Sequence, residues 1–182
     1  MTNMDKLYEA VEARGPVCVG LDTDFSYLPA DFVDSTLTRG ENIVRFNQKL
    51  IDAIRSGVVD AIATDHAPHS EEDKLKGMAG MVGSETAFGV CYTKLCKEEG
   101  LPLELLSHLM STRPAEILGL AKGQLEPGYD ADFVLVDLDT PYTVDKNKLH
   151  SKSHNCPFDG AQLYGRVCAT VKGGELTYQA EE

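Results

Sequence analysis

The sequence predicts an α/β fold in which strands alternate with helices and a small β unit follows. Two apolar runs, residues 17–21 and 58–64, each stop at polar residues, as strands buried in a parallel sheet do. Apolar residues at helical spacing follow each run. After Gly123 the pattern changes to that of short strands joined by turns, so the β unit comes last.

Composition restricts the classes of partner. The 182 residues are 42% hydrophobic and 25% charged, which is typical of a folded globular chain. Lys and Arg number 17 against 29 for Asp and Glu, a net charge of −12, so the chain lacks the basic surface that nucleic acids or anionic lipids require. No apolar run approaches the roughly 18 residues of a membrane helix, and the N-terminus lacks the order of a secretory signal. These features predict a soluble, cytoplasmic protein with no nucleic-acid or membrane partner.

The five cysteines are scattered and include no C-x-x-C pair. An odd, scattered set is typical of reduced intracellular thiols that pack as small apolar side chains.

The N-terminal third predicts a helix, a strand and a second helix. Residues 4–13 carry apolar side chains three to four apart, and residues 17–21 follow as a strand. Thr38 and Glu41 have the spacing of a capping box, which predicts a helix start, and Gly57 is a suitable C-terminal cap. The apolar stripe of this helix consists of Ile43, Phe46, Leu50, Ile51 and Ile54.

The middle of the chain predicts a buried strand followed by helices. Residues 58–64 are mostly apolar, and apolar positions from Ala87 to Leu95 predict a helix. Pro102 and Pro114 each stand where the first turn of a helix accepts proline.

The C-terminal part predicts three strands. Residues 131–137 form the first, and residues 166–172 and 175–178 flank Gly173 and Gly174, which is the signal of a hairpin.

The most informative polar sequence is Asp65-His66-Ala67-Pro68-His69, directly after the second predicted strand. Pro68 keeps the residue before it extended. Polar side chains therefore gather beyond a strand end, where barrels and doubly wound sheets have their active sites. A carboxylate there binds a divalent metal or transfers a proton, and an imidazole binds a metal or an anion. A loop with two solvated histidines explains the same spacing equally well.

Other polar residues leave the same alternatives open. Asp22 and Asp24 follow the first strand and can bind hydroxyls or a cation, or form a solvated turn. His150 and His154 suit a metal only on a helix, and their polar surroundings favour a solvated loop. His108 is predicted to be a helix-surface or half-buried histidine.

Five motifs follow one another along the C-terminal two thirds of the chain. They are residues 60–69 (DAIATDHAPH), 80–86 (GMVGSET), 111–119 (STRPAEILG), 128–137 (GYDADFVLVD) and 155–160 (NCPFDG). In this order, over about residues 57–178, they resemble the C-terminal part of a dihydroorotase of the amidohydrolase superfamily. The resemblance implies a final (β/α)₈ barrel strand ending at Asp65, its helix, and part of the accompanying β-sandwich.

The resemblance also implies roles for residues. Asp65 matches the family's metal-associated aspartate, which takes a proton from the metal-bound hydroxide and returns it to the leaving amide nitrogen. His69 matches the histidine that holds the substrate carboxylate, and the backbone of Ala79 and Gly80 matches a neighbouring anion contact. His66 belongs to the motif without a ligand role. The implied cofactor is Zn²⁺, and the implied small-molecule substrates are dihydroorotate and carbamoyl-aspartate.

The N-terminal part carries different motifs. Residues 15–24 (GPVCVGLDTD), residues 27–29 (YLP) and the pair Phe46-Asn47 resemble the start of an orotidine 5′-phosphate decarboxylase, another (β/α)₈ barrel of pyrimidine biosynthesis. Asp22 falls where that family's first strand ends beside the ribose site, which makes it a predicted substrate-binding residue.

The two resemblances divide the chain into three predicted parts. Residues 1–53 are a decarboxylase-like fragment, residues 54–122 a dihydroorotase-like last barrel strand with helices, and residues 123–182 the amidohydrolase C-terminal β unit. A whole barrel needs eight βα units and about 250 residues. The predicted fold class is therefore α/β, with incomplete (β/α) barrel elements followed by a small β-sandwich-like unit.

Missing motifs decide the predicted function. The chain lacks the dihydroorotase Asp-x-His-x-His motif and metal-bridging lysine segment, and the decarboxylase Asp-x-Lys-x-x-Asp set. We predict a dihydroorotase-like protein that is catalytically incomplete by itself, because Asp65 alone cannot hold and activate a metal hydroxide. The alternative is a non-catalytic fused remnant or interaction module that associates with itself or with a full-length relative. Decarboxylase activity is the third hypothesis.

Overall fold

The computed structural model describes residues 23–181, which form two compact units. The described part of the first unit is residues 23–60 with residues 117–119, and the second is residues 61–116 with residues 120–181. The α-helices are α1 Arg39–Arg55, α2 Glu71–Leu75, α3 Ala87–Cys91, α4 Leu103–Ser107 and α5 Arg113–Leu118. The strands are β1 Phe133–Asp137, β2 Tyr142–Thr143, β3 Gln162–Leu163, β4 Arg166–Lys172 and β5 Glu175–Gln179. None of the helices formed by residues 23–181 is both long and apolar enough to cross a membrane.

Helix α1 dominates the first unit and confirms the predicted capping box. The Thr38 hydroxyl accepts the Glu41 N–H at 3.2 Å, and the Glu41 carboxylate accepts the Thr38 N–H at 2.7 Å. At the other end Gly57 takes a left-handed conformation with φ of 75°, as a C-terminal cap does. Ile51 and Ile54 are the buried apolar positions of its stripe. The predicted helix 4–13, the strand 17–21, Asp22 and Cys18 lie outside the described residues.

The prediction of a hydrogen-bonded strand at residues 58–64 is wrong. These residues belong to no helix and no sheet among the described residues, and exposed and half-buried side chains alternate along 61–64. The Ile62 N–H bonds the Leu109 carbonyl, which belongs to a helical segment. An apolar run predicts a buried strand only where neighbouring strands cover it, and no described strand lies beside this one.

Two helical regions of the second unit contain wider turns. Helix α3 continues as a π-helix, Tyr92–Glu98, and α4 runs through a second π segment, His108–Thr112, into α5. Pro102 caps α4, and Pro114 lies in the first turn of α5, as predicted. Pro114 has no N–H to donate to the preceding turn. The π segment directly before it accommodates this loss, so one continuous helix replaces the two separate helices expected.

A small apolar cluster joins α3 to the two-stranded β2–β3 sheet. Its buried members are Val144, Cys156 and Leu163. Gly89 of α3 lies so close to the Tyr142 hydroxyl that no Cβ fits between them, and the Thr93 hydroxyl accepts the Tyr164 N–H at 2.8 Å. The described cysteines are free thiols, and burial raises the pKa of Cys91 to about 11.

The C-terminal strands form an antiparallel sheet in the order β1–β4–β5. Gly173 and Gly174 both have positive φ, which two-residue hairpin turns require, and they join β4 to β5 as predicted. Apolar side chains on β1 and β5 stay in solvent: Leu135 is 56% and Leu176 59% exposed.

Candidate functional site

The site begins where the chain turns at Asp65. Residues 61–64 belong to no helix or strand, and Asp65 then takes φ of 45°, the one non-glycine residue with positive φ in the described chain. Asp tolerates this left-handed conformation better than most residues. After the turn, His66 forms a parallel bridge with Met81, and the Ala67 N–H bonds the Met81 carbonyl at 3.0 Å. The Asp65–His69 sequence therefore lies alongside the segment around Met81.

Two glycines make this close approach possible. A Cβ on Gly80 would lie 2.5 Å from the Ala67 carbonyl oxygen, and one on Gly83 would lie 2.9 Å from the Thr64 carbonyl oxygen. Both contacts are with backbone atoms, which cannot move aside as a side chain can. Gly80 also has φ of 122°, a conformation that L side chains rarely adopt. Glycine is thus required at position 80 on two counts.

The structure brings four of the five predicted site residues into one region. A Cβ on Gly80 would lie 3.0 Å from Cδ2 of His69, so His69 is next to the Ala79–Gly80 backbone. Within residues 23–181 neither the Ala79 nor the Gly80 N–H donates a hydrogen bond, so both are available to a ligand. Asp65 is exposed, and its carboxylate accepts no hydrogen bond from the described chain. Asp22, the fifth residue, lies outside the described part.

His66 connects the two segments through its ring. Its Nδ1 accepts the N–H of Gly83 at 3.0 Å and that of Ser84 at 3.2 Å. A nitrogen that accepts hydrogen bonds carries no proton, so the neutral ring bears its hydrogen on Nε2. The sequence placed His66 in the motif without a role, and the structure shows that its Nδ1 holds the glycine-containing segment.

The carbonyl of Gly80 is held from two directions. Asn155 Nδ2 donates to it at 2.6 Å, and Lys74 Nζ donates at 2.9 Å. Lys74 Nζ also donates to the Met78 carbonyl at 2.7 Å, and the Val82 N–H bonds the Asn155 carbonyl at 2.9 Å. The segment 78–82 thus depends on contacts with the nearby Lys74 and with the distant Asn155.

Glu85, just after this segment, ties the chain to the loop before β3. Its carboxylate accepts hydrogen bonds from the backbone N–H groups of His150 at 2.8 Å and Ser151 at 2.9 Å. It also bonds the ring Nδ1 of His150 at 3.1 Å. Partial burial opposes ionisation, but these donors outweigh it and hold the pKa of Glu85 below its usual value. The His150 ring also packs edge-on against Tyr178, with centroids 5.7 Å apart.

The remaining candidates lie in solvated positions, as the local sequence favoured. Asp24 accepts the N–H and hydroxyl of Ser26, which lowers the pKa of Asp24 and caps a short 3₁₀ turn. His154 lies in an exposed loop, where its Nδ1 contacts the Lys146 carbonyl at 2.8 Å. His108 is exposed on its helix.

The described residues do not fit a zinc site. Within residues 23–181 no three His, Cys, Asp or Glu side chains come close enough together to hold one metal ion. Catalytic zinc ordinarily has three protein ligands and an open position. Asp65 is the metal-binding candidate here, and a single carboxylate falls short of that number.

Sequence reasoning missed the contacts that hold the site together. Glu85, His150 and Asn155 act across long separations in sequence, which no local spacing indicates, whereas Lys74 bonds carbonyls only four and six residues away. Glu85 and Asn155 do stand inside two of the quoted motifs, and this was the available signal. Lys74 lies in none of them.

Comparisons with known proteins agree with the resemblance of the C-terminal two thirds. A model described as "Amidohydrolase family" matches residues 11–178. A dihydroorotase from Clostridium botulinum is 52% identical over 132 residues, which cover 72% of this chain and 33% of that protein. A dihydroorotase from Bacillus licheniformis is 39% identical over 164 residues, covering 88% and 36%. The chain thus spans about a third of the length of these curated relatives.

Solved structures give the same picture of the fold. The L-hydantoinase (dihydropyrimidinase) from Arthrobacter aurescens superposes with a TM-score of 0.71 at 31% identity, covering 76% of this chain and 33% of that one. The D-hydantoinase (dihydropyrimidinase) from a Thermus species gives 0.67 at 26% identity, covering 72% and 31%. These likenesses confirm the predicted α/β class with incomplete barrel elements.

Proposed function

The chain belongs to the amidohydrolase family, and from this premise we propose that it supplies part of a dihydroorotase-type site, in which Asp65 transfers protons and His69 with Ala79 and Gly80 binds the substrate carboxylate. The substrates are the cyclic amide dihydroorotate and its open form, carbamoyl-aspartate, intermediates of pyrimidine biosynthesis. The dihydroorotases to which the chain is similar support this assignment.

One observation carries the proposal. His69 lies next to Gly80, and within residues 23–181 the N–H groups of Ala79 and Gly80 donate no hydrogen bond; the exposed carboxylate of Asp65 stands a few residues before His69. A carboxylate ligand accepts hydrogen bonds from backbone N–H groups and from an imidazole N–H. Asp65 stands four residues before His69, and we propose that the ring amide of the substrate lies towards it.

The chemistry at Asp65 is a proton transfer. Ring opening forms a bond between a water oxygen and the amide carbonyl carbon, and it breaks the carbon–nitrogen bond. The Asp65 carboxylate accepts the proton of the attacking water and delivers it to the departing nitrogen. Ring closure follows the reverse path.

The described residues supply too few zinc ligands for this proposal. We propose that a second copy of the chain or a full-length relative supplies the others. The self-association predicted from the sequence would then serve to supply these ligands.

The first experiment measures hydrolysis of dihydroorotate by the purified chain with added zinc, beside an Asp65→Asn variant. Asn is the better replacement because it tolerates the positive φ at this position, whereas Ala would add backbone strain. Because the chain is incomplete by itself, we expect turnover only at protein concentrations at which a second copy supplies the missing zinc ligands, and we expect Asp65→Asn to abolish it. Turnover at the same rate in the two proteins would overturn the role of Asp65.

A second experiment measures dihydroorotate binding by calorimetry. His69→Ala should weaken binding, whereas His108→Ala, which removes an exposed histidine on a helix, should leave it unchanged. Equal affinity in the two variants would contradict the role of His69.

The alternative function is a non-catalytic interaction module, and the exposed apolar strands support it. Leu135 and Leu176 present apolar surface to solvent on the β1–β4–β5 sheet, and such surface favours association. Folded protein that neither binds nor hydrolyses dihydroorotate would favour this alternative.

For residues 1–53 we propose no decarboxylase activity. The family match begins at residue 11 and so overlaps most of this segment, and the Asp-x-Lys-x-x-Asp set is absent from the sequence. The decarboxylase resemblance and the boundaries at residues 53 and 122 stay predictions, as does the ribose-site role of Asp22. Turnover of orotidine 5′-phosphate would overturn this proposal.

The free thiols of the described cysteines support the proposed cytoplasmic location.

A further inference from the structure

We propose that Lys74 and Asn155 are positioning residues for the substrate carboxylate, because they hold the backbone that presents the Ala79 and Gly80 N–H groups. The inference rests on the proposed function, since those N–H groups matter to a ligand only if the carboxylate binds there. Neither residue contacts the ligand in this scheme.

The segment needs external support. Residues 78–80 lie in no helix or strand, and their neighbour α2 is a single short helix. Gly80 has φ of 122°, a region open chiefly to glycine, so the residue itself restricts its backbone little. Contacts from elsewhere must therefore determine which way its peptide groups point.

Lys74 and Asn155 supply those contacts in a specific arrangement. The Met78 carbonyl and the Ala79 N–H belong to one trans peptide plane, in which they point in opposite directions. When Lys74 draws the Met78 carbonyl towards its ammonium, it turns the Ala79 N–H away from itself. Farther along the segment, Asn155 and the same Lys74 ammonium both hold the Gly80 carbonyl. The Gly80 N–H lies between these two held peptides.

Lys74 also brings a positive charge. Its partners are backbone carbonyls, and within residues 23–181 it makes no ion pair. The nearby Lys76, in contrast, pairs with Glu72 at 2.6 Å on the surface. The Lys74 ammonium is thus engaged with the backbone of the segment, whereas that of Lys76 is engaged with a surface carboxylate.

The test is calorimetric binding of dihydroorotate to the full chain and four variants. Lys74→Met removes the charge and both hydrogen bonds to the segment, and Asn155→Asp replaces the amide donor by an acceptor. Each should raise the Kd for dihydroorotate about tenfold, which is the effect of losing one well-placed hydrogen-bond partner. The matched controls are Lys76→Met and Asn147→Ala, whose side chains bond exposed carboxylates, and these should change the Kd by less than about twofold.

A second ligand separates positioning from general damage to the fold. Dihydrouracil has the same ring without the carboxylate, so Lys74→Met and Asn155→Asp should leave its Kd unchanged. Lys74→Arg, which keeps the charge and offers several donors, should restore part of the dihydroorotate affinity. Equal weakening of both ligands would overturn the inference, because it would indicate a merely structural role.

The outcomes distinguish this inference from the proposed function. If His69→Ala weakens dihydroorotate binding and the Lys74 and Asn155 variants do not, the proposed function stands and the inference is wrong. If the unchanged chain binds no dihydroorotate, the proposed function fails and the inference fails with it. Selective weakening by all three variants supports both.

Discussion

Asp65 and Gly80 adopt backbone conformations that few side chains tolerate, and both lie in the candidate site. Asp65 has φ of 45° and Gly80 φ of 122°. Residues in sparsely populated conformations persist where surrounding contacts hold them, and they concentrate at functional sites. Here the contacts are the bridge of His66 with Met81 and the bonds to the Gly80 carbonyl. The backbone at the site is therefore held from both sides.

The requirement for glycine at position 80 gives a test with an internal control. Gly80 and Gly77 both have positive φ, but a Cβ on Gly77 would meet no atom within 4 Å. Gly77→Ala should therefore cost only the conformational term, about 1–2 kcal/mol in free energy of unfolding. Gly80→Ala adds the clash with the Ala67 carbonyl and should cost clearly more, measured by urea denaturation. Equal losses in the two variants would show that the close approach is absent in solution.

His66 offers a second test at the residue scale. His66→Ala leaves the Gly83 and Ser84 N–H groups without their shared acceptor, and we expect a loss of about 1–3 kcal/mol in stability. His66→Asn presents a side-chain oxygen near the position of Nδ1 and should recover part of it. The measurement is the urea midpoint of both variants, and no difference between them would contradict the role of Nδ1.

At the scale of elements, local signals predicted well and distant ones did not. The capping box of Thr38 and Glu41 and the hairpin at Gly173 depend on residues a few positions apart, so their spacing predicted the structure. Residues 58–64 failed because an apolar run does not contain its neighbouring strands. The bond from Asn155 to Gly80 spans 75 residues, and nothing in the spacing of either motif indicates it.

The β4–β5 hairpin is joined to the start of β1 by Asp132. Its carboxylate accepts from Lys122, the Gly173 N–H at 2.6 Å and Lys172 at 3.2 Å. The bond from Lys122, then the one from Gly173, lowers the pKa of Asp132 well below its usual value of 3.8. A lowered folded-state pKa means that this stabilisation is fully present above 3.8 and is lost progressively as the pH falls below it.

We therefore expect acid to act on the hairpin through Asp132. Lowering the pH from 7 to 3 should reduce the stability of the unchanged chain more than that of Asp132→Asn, which has no charge to lose. Hydrogen exchange of the β4 and β5 amides at several pH values measures the effect. Asp139→Asn, which removes an exposed carboxylate, is the matched control and should follow the unchanged chain. Identical pH profiles for the chain and Asp132→Asn would rule the link out.

At the scale of the whole molecule, the motifs predicted the family. The structure brings the motif around Asp65 next to the one that begins at Gly80, and the roles of the residues in both stay predictions. The contacts of Lys74 with the second segment could not be predicted, because a lysine among acidic residues usually indicates an exposed helix face. The zinc ligands could not be found, because residues 23–181 contain no suitable cluster.

The net charge of −12 sets a whole-molecule expectation. Copies of an acidic chain repel each other at low salt, whereas apolar side chains such as Leu135 and Leu176 favour contact. Salt at about 0.5 M shortens the screening length to a few ångströms, so association should increase with ionic strength. Analytical ultracentrifugation at low and high salt measures this, and Leu176→Ser should reduce the association. A decrease with salt would instead indicate ionic contacts between copies.

The close contact between Gly89 and the Tyr142 hydroxyl has a spectroscopic consequence. The chain has seven tyrosines and no tryptophan, so tyrosine dominates its near-ultraviolet absorbance and its intrinsic fluorescence. Burial raises the pKa of Tyr142, so this ring becomes a phenolate later in an alkaline titration than a tyrosine in solvent. The late step in absorbance near 295 nm then serves as an optical marker for the docking of the β2–β3 sheet on α3, without any added label.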